Sequence, residues 1–272
     1  MTENKKLLVP VLTVLFAAAM AACAGALREP EILFPEAAAL CAGAWMAPRQ
    51  PWRVTRVQMP LLMTASAVGG VLIVRCLPAP LPVQTAAGLL YTAALLAVSG
   101  STLIPLISAC ILPIFLKTEA WVYPVAVLAL SSCIALGQLL LNKWGLRQDS
   151  PQSPARPFCQ RLRRWGFMAA LLFAFCLVPT AVKRVYFCAP PLLVTFAELM
   201  APESRLRQKP VKIWLLLTGA AAAGLLPLIL PEAGIMLYVP LLSLGAAAIT
   251  AFSCLYYKNK QQNSAEFTCG NR

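Results

Sequence analysis

The chain has 272 residues, 60% hydrophobic and only 12% charged, with a net charge of +13 and no histidine. A soluble domain carries roughly 25% charged residues, and the mean hydropathy here is +0.73; together these exclude an ordinary water-soluble fold. The basic excess has no stripe of interleaved exposed aromatics, which speaks against nucleic acid; Lys and Arg instead mark the loops of one membrane face.

A spanning helix needs about 20 apolar residues. The first candidate is 7–27. Ala24-Gly25-Ala26 mimics a signal-peptide cleavage site, but the run is longer than a signal core and further apolar runs follow, so it reads as a retained transmembrane helix. Segment 31–47 carries Pro35 and Glu36. Segments 57–76 and 84–100 follow, the first holding Gly69-Gly70, small residues that let helices approach closely. Segment 102–116 carries Pro105 and Pro113, which remove backbone donors and kink a helix. Segment 120–142 closes the first half.

Residues 143–165 combine proline, serine and charge without periodicity, from Asp149 through Arg161-Leu-Arg-Arg-Trp, and read as a loop or disordered linker. Segments 166–182, 185–201 (with Pro190-Pro191), 211–230 and 234–257 make the second half, and 258–272 is a polar tail. Segments 31–47, 102–116 and 185–201 are candidate half-spans or broken helices, which lipid tolerates where other helices cover them. The small-residue run Gly219 to Gly224 is another packing feature.

Ten crossings with a cytoplasmic N-terminus put 18 of the 23 basic residues inside. Outside fall Arg28, Arg75, Lys117, Lys183 and Arg184. That bias fits the positive-inside rule and places both termini in the cytoplasm of a cell (inner) membrane protein. The adjacent Lys183 and Arg184 depart from the rule; they would attract an anion or mark a wrongly drawn segment 166–182.

The halves echo each other. Trp45-Met46-Ala47-Pro48 is followed by Gly70, and Leu199-Met200-Ala201-Pro202 by Gly224, each glycine 22 residues past its proline. Ile104-Pro105-Leu106-Ile107-Ser108 answers Val239-Pro240-Leu241-Leu242-Ser243. The expected fold is therefore all-α: about ten short transmembrane helices in two degenerate parallel repeats, residues 1–142 and 166–257.

The stretches Phe34 to Trp52, Met59 to Arg75 and Gly100 to Ala109 carry a resemblance. An apolar segment is followed by a Pro-Arg-Gln-Pro turn, a glycine-containing span and a helix opening on proline. Over residues 31–116, with a weaker echo at 185–250, this resembles the HPP family of small integral membrane proteins and, more distantly, the fusaric-acid-resistance type of exporter. The His-Pro-Pro signature is absent; its place reads Gly100-Ser101-Thr102-Leu103-Ile104-Pro105. The resemblance implies a small-anion carrier.

Ionisable groups inside apolar segments are costly and functional by default. Glu36 and Glu198 qualify, as binders of a proton or cation or as substrate-orienting groups; both also lie close enough to a segment end to reach water. Ser101 or Thr102 is a candidate N-cap, and with Ser108 they flank a helix start suited to an anion. Glu29, Glu31, Glu119 and Glu232 read as loop residues. Tyr91, Tyr123, Gln84 and Gln138 can hydrogen-bond across helices. Trp45, Trp52, Trp121, Trp165 and Tyr257 fall at segment ends and read as interfacial belt residues.

The ten cysteines form no CxxC pair, and most sit within apolar runs as small hydrophobes. No dyad, GxSxG or phosphate loop is present, so neither an enzyme nor a metal or cofactor site is expected. The function expected is a transporter-like or channel-like path between two halves. Its partners are membrane lipids, a small-anion substrate, and a second copy or membrane-complex partner. The alternative is a non-transporting scaffold or assembly component docked through the 143–165 linker.

Overall fold

A computed structural model describes residues 3–47, 50–146, 156–181 and 189–200, with isolated positions at 211, 215, 218 and 219. Among the described residues the chain is helical with no strand. The helices are α1 (Glu3–Leu27), α2 (Glu36–Cys41), α3 (Gln58–Cys76), α4 (Leu81–Ser99), α5 (Pro105–Leu116), α6 (Val122–Lys143), α7 (Phe158–Ala181) and α8 (Pro190–Met200). A 3-10 turn (Pro30–Ile32) precedes α2, and a π turn (Ala42–Met46) continues it.

Five helices have the length and apolarity to cross a membrane: α1 from Leu8, α3, α4, α6 and α7. A helix of 20 residues rises about 30 Å, the depth of the hydrocarbon core. Their outward faces are aliphatic, with Leu61, Leu72, Leu90, Val125, Leu136 and Leu140 all exposed. A helix that is apolar both on its packed face and on its outer face needs oil as its solvent.

Two sets of contacts define the ends of the bundle formed by α1 to α6. At one end the Arg75 Nε–H donates to the Glu119 carbonyl at 2.8 Å and the guanidinium lies over the Trp121 ring, while Glu31 sits beside Thr118. At the other end the Arg53 N–H donates to Thr102 Oγ1 at 2.8 Å, and the Thr102 N–H donates to the Arg53 carbonyl at 3.2 Å. Helix α3 therefore runs from the Arg53 end to the Arg75 end, α4 returns, the stretch containing α5 goes back, and α6 returns again. Arg53, Arg56 and Lys143 lie at the Arg53 end, whereas Arg28, Arg75 and Lys117 share the other end with Glu29, Glu31 and Glu119.

The proline-bearing segments behave differently from the long helices. Segment 31–47 is not one helix: residues 33–35 are non-helical, α2 has 6 residues, and the π turn adds 5 before Ala47 turns extended. Segment 102–116 holds only the 12-residue α5, which begins on Pro105. Twelve residues rise about 18 Å, too little for a full crossing, and the non-helical residues 100–104 cover the remaining distance between the ends. Pro190 and Pro191 open the 11-residue α8 and do not break it, as expected of a residue with no N–H to offer in the first turn.

The linker is shorter than its composition suggests. Helix α7 begins at Phe158, not Gly166, so Arg161, Arg163 and Arg164 are helical. The Arg161 guanidinium lies 5.7 Å over the Phe158 ring one turn earlier, a spacing that supports a helix which charge alone does not predict, and the Arg164 guanidinium lies 5.3 Å over the ring of its chain neighbour Trp165.

Glycines set the closest approaches. A Cβ on Gly70 would meet the Cys110 carbonyl and stand 2.6 Å from Pro113 Cγ, so α3 and α5 touch backbone to backbone. A Cβ on Gly69 would strike the Tyr91 ring, whose hydroxyl donates to the Ala65 carbonyl at 2.9 Å. The expected belt is corrected in part: Trp45, Trp52 and Trp165 are buried in the protein, whereas Trp121 is exposed. Each buried ring lies in a protein-lined seat; Trp45 packs over Gly137 and its Nε1–H donates to the Ile134 carbonyl at 2.9 Å.

Segment 234–257, Lys183, Arg184, Glu232, Tyr257 and the 258–272 tail lie outside the described residues, as does segment 211–230 apart from four isolated positions.

Candidate functional site

Helix α5 is the axis of the described bundle. Every residue from Pro105 to Ile114 is buried, and it packs against α2, α3, α4 and α8. Polar groups collect on it at two levels.

At the first level is Glu36, in the opening turn of α2. Its side chain is 4% exposed. Ser108, fully buried one turn into α5, lies beside it, yet neither carboxylate oxygen nor the Ser108 hydroxyl completes a hydrogen bond. Tyr123 of α6 also faces the carboxylate; its hydroxyl donates to the Ala109 carbonyl at 3.0 Å, and its ring meets that of Phe34 edge-on at 6.3 Å. Most buried polar side-chain atoms find partners, so a buried carboxylate with both oxygens unpartnered stands out. Proline at 35 begins the turn that aims Glu36 inward: the Ala37 and Ala38 amides donate to the Phe34 and Pro35 carbonyls.

At the second level, beyond the N-terminus of α5, is Glu198. The Trp52 Nε1–H donates to Glu198 Oε1 at 2.9 Å. The neighbouring Arg53 guanidinium donates to the Gly100 carbonyl, and its backbone pairs with Thr102 in both directions. The non-helical stretch 50–57 is thereby fastened to the 100–102 turn on one side and to α8 on the other.

Ser101 and Thr102 are not N-caps of α5. The helix is preceded by Ile104, with no side-chain cap. Ser101 Oγ instead accepts from the Leu103 N–H at 3.1 Å, and Thr102 Oγ1 is taken by Arg53. Proline at the first helical position already removes one orphan donor, which lessens the need for a cap. Of the five residues singled out in the sequence, Glu36 and Ser108 are brought together, and Ser101, Thr102 and Glu198 lie around the Trp52–Arg53 stretch.

The sequence did not mark Trp52 and Arg53 as site residues. Their signal was present in the Pro-Arg-Gln-Pro-Trp-Arg turn, but a Trp and an Arg beside a segment end read equally as membrane anchors. Among the cross-helix candidates, Tyr91 and Tyr123 do bond to neighbouring helices. Gln84 instead donates to the Leu77 carbonyl in its own approach loop, and Gln138 is buried with its Oε1 unpartnered. Among the described residues no group of three His, Cys, Asp or Glu converges as a metal site. No protein-family model, curated protein or solved structure matches the chain.

Proposed function

We propose that this integral membrane protein carries or conducts a small solute along the seam between its two halves, residues 1–142 and 166–257. The observation that carries the proposal is the meeting of α2 with its π turn and of α8 on α5, where α5 and the α2 stretch are each too short to span. Interrupted helices at membrane depth are tolerated where they are covered by protein or line a path, and carriers build their midplane sites from them.

Two further features support it. The Trp52–Glu198 bond joins residues that flank the two Met-Ala-Pro motifs, as parallel repeats facing each other would. Arg53, Arg56 and Lys143 share one end, which fits a cell-membrane protein whose Arg53 end and termini are cytoplasmic. A small anion is the substrate class that the HPP resemblance implies, with Glu36, Ser108 and Glu198 along the path. The test is flux of small anions into proteoliposomes holding the full chain, with Glu36→Gln and Glu198→Gln; transport unchanged by both removes the carboxylates from the mechanism.

A second reading, a scaffold or assembly component, is favoured by the close packing of α4 against α7. The cavity between Leu89, Leu96, Ile107, Trp165 and Leu172 is apolar and holds about 10 Å³, no more than one water. Deleting the Asp149–Ala155 stretch separates the two readings: a carrier keeps its flux, and a docking protein loses its partner.

A further inference from the structure

We propose that Glu36 is an exchangeable proton site, occupied by a proton in the resting protein and buffered from both membrane faces by the α2–α5–α6 packing. The inference deepens the transport reading, but its test needs no flux, so either can fail while the other stands.

The first support is the missing countercharge. Helix α2 packs against α1, its own π turn, α5 and α6. From Leu7 to Leu27, α1 contains no charged residue, and its one titratable group there, Cys23, is exposed. Helix α5 contributes only Cys110, and the π turn contributes nothing ionisable. Helix α6 brings Tyr123 and Cys133, the latter near Cys41 of α2; its one cation, Lys143, closes the helix at the far end, about 30 Å from Tyr123 at 1.5 Å per residue. Among the described residues, no Lys or Arg within the elements packed on α2 therefore reaches Glu36. An isolated carboxylate in an apolar medium is neutralised, not tolerated.

The second support is the donor set, which suits a proton and not a metal ion. Hard cations gather about six oxygens. Here the carboxylate has one adjacent hydroxyl, that of Ser108, while the Tyr123 hydroxyl already donates to a carbonyl and Phe34, Ala37 and Leu40 are apolar neighbours along the chain. Protonation converts one carboxylate oxygen from acceptor to donor. Ser108 Oγ, otherwise unpartnered, is the acceptor in place for it.

An apolar carbodiimide tests this directly on the full chain in lipid nanodiscs. The reagent adds across a protonated carboxyl: the acid proton passes to a carbodiimide nitrogen, the carboxyl oxygen bonds to the central carbon, and acyl migration to nitrogen leaves a stable N-acylurea with nothing expelled. Peptide mapping of the wild-type chain at neutral pH should find the adduct on Glu36 in roughly tenfold or greater excess over the exposed Glu29 and Glu119, which stand outside the apolar medium that the reagent enters. Raising the pH should diminish it, and sodium or potassium should not. An unlabelled Glu36 overturns the proposal, as does labelling suppressed by sodium, which would make the site a metal-cation site. Because the wild-type map assigns the position, the result does not depend on Glu36→Gln folding; where that variant does fold, the infrared carbonyl band of a protonated carboxyl should be lost from its spectrum, and a band that persists overturns the assignment.

Discussion

Trp52 and Glu198 stand 146 positions apart in the chain and are joined by a hydrogen bond of 2.9 Å from the indole N–H to the carboxylate. The bond couples the stretch after the first Met-Ala-Pro motif to the helix that leads into the second. The Trp52 ring is also seated against Gly43, where a Cβ would stand 2.5 Å from the ring carbon Cζ3. One side chain thus links the π turn, the 50–57 stretch and α8.

Trp52→Phe keeps most of that ring packing and removes the donor. The half-buried Glu198 carboxylate then lacks its partner, which costs about 1–3 kcal/mol. Thermal or denaturant unfolding in detergent micelles reads the loss. A cycle with Glu198→Ala should show a coupling of roughly 0.5–3 kcal/mol; strictly additive effects would mean that the two residues do not cooperate in solution.

Gly70→Ala and Gly166→Ala form a matched pair. At Gly70 the added methyl meets the backbone of α5, which cannot rotate away, so α3 and α5 must separate; overpacking of this kind costs about 1–3 kcal/mol. At Gly166 nothing lies within 4 Å, and replacing a helical glycine by alanine should stabilise by up to about 1 kcal/mol. The signs should be opposite in the same melting assay, and equal destabilisation by both would contradict the α3–α5 approach.

The long helices were legible because apolar length is the whole signal in a bilayer. Segments 57–76, 84–100 and 120–142 sit within a few residues of α3, α4 and α6. The proline-bearing segments were legible as irregular, but not in detail: Pro35 and Pro105 announce a break without saying where the backbone resumes. Phe158 escaped because its helix starts among arginines, where charge hides a ring contact that only the folded turn creates. Glu36 stood out in the sequence as an acid inside an apolar segment, but so near the segment's end that burial and contact with water were both open. Its pairing with Ser108 did not stand out, because their proximity depends on how α2 and α5 cross, and periodicity carries no information on that. Trp45, Trp52 and Trp165 were misplaced for a related reason: tryptophan near a segment end has the same composition whether it faces headgroups or the interior of the protein.

The two ends of the bundle should label from opposite faces of the membrane. In a cysteine-free background, Lys117→Cys lies with Arg75 and Glu119, and Gly145→Cys follows α6 at the other end; both native positions are exposed. A membrane-impermeant maleimide applied to sealed vesicles should reach one and spare the other, with the pattern inverted in vesicles of opposite orientation. Labelling of both from the same face would undo the antiparallel order of α5 and α6.

Thr102 offers the sharpest test of how the 50–57 stretch is held. Its hydroxyl accepts the Arg53 N–H at 2.8 Å while its own N–H donates to the Arg53 carbonyl, so one residue satisfies both polar groups of the Arg53 backbone. Thr102→Val has nearly the same shape but cannot accept, which removes this bond to the Arg53 N–H at a cost of about 1–3 kcal/mol. Thr102→Ser keeps the oxygen and should stay close to wild type. Amide exchange at Arg53 separates the two, because each 1.4 kcal/mol lost from a local closed state speeds exchange about tenfold. Faster exchange confined to valine identifies the hydroxyl as the clasp; equal exchange in all three would assign the fastening to the Arg53 side chain and Gly100 instead.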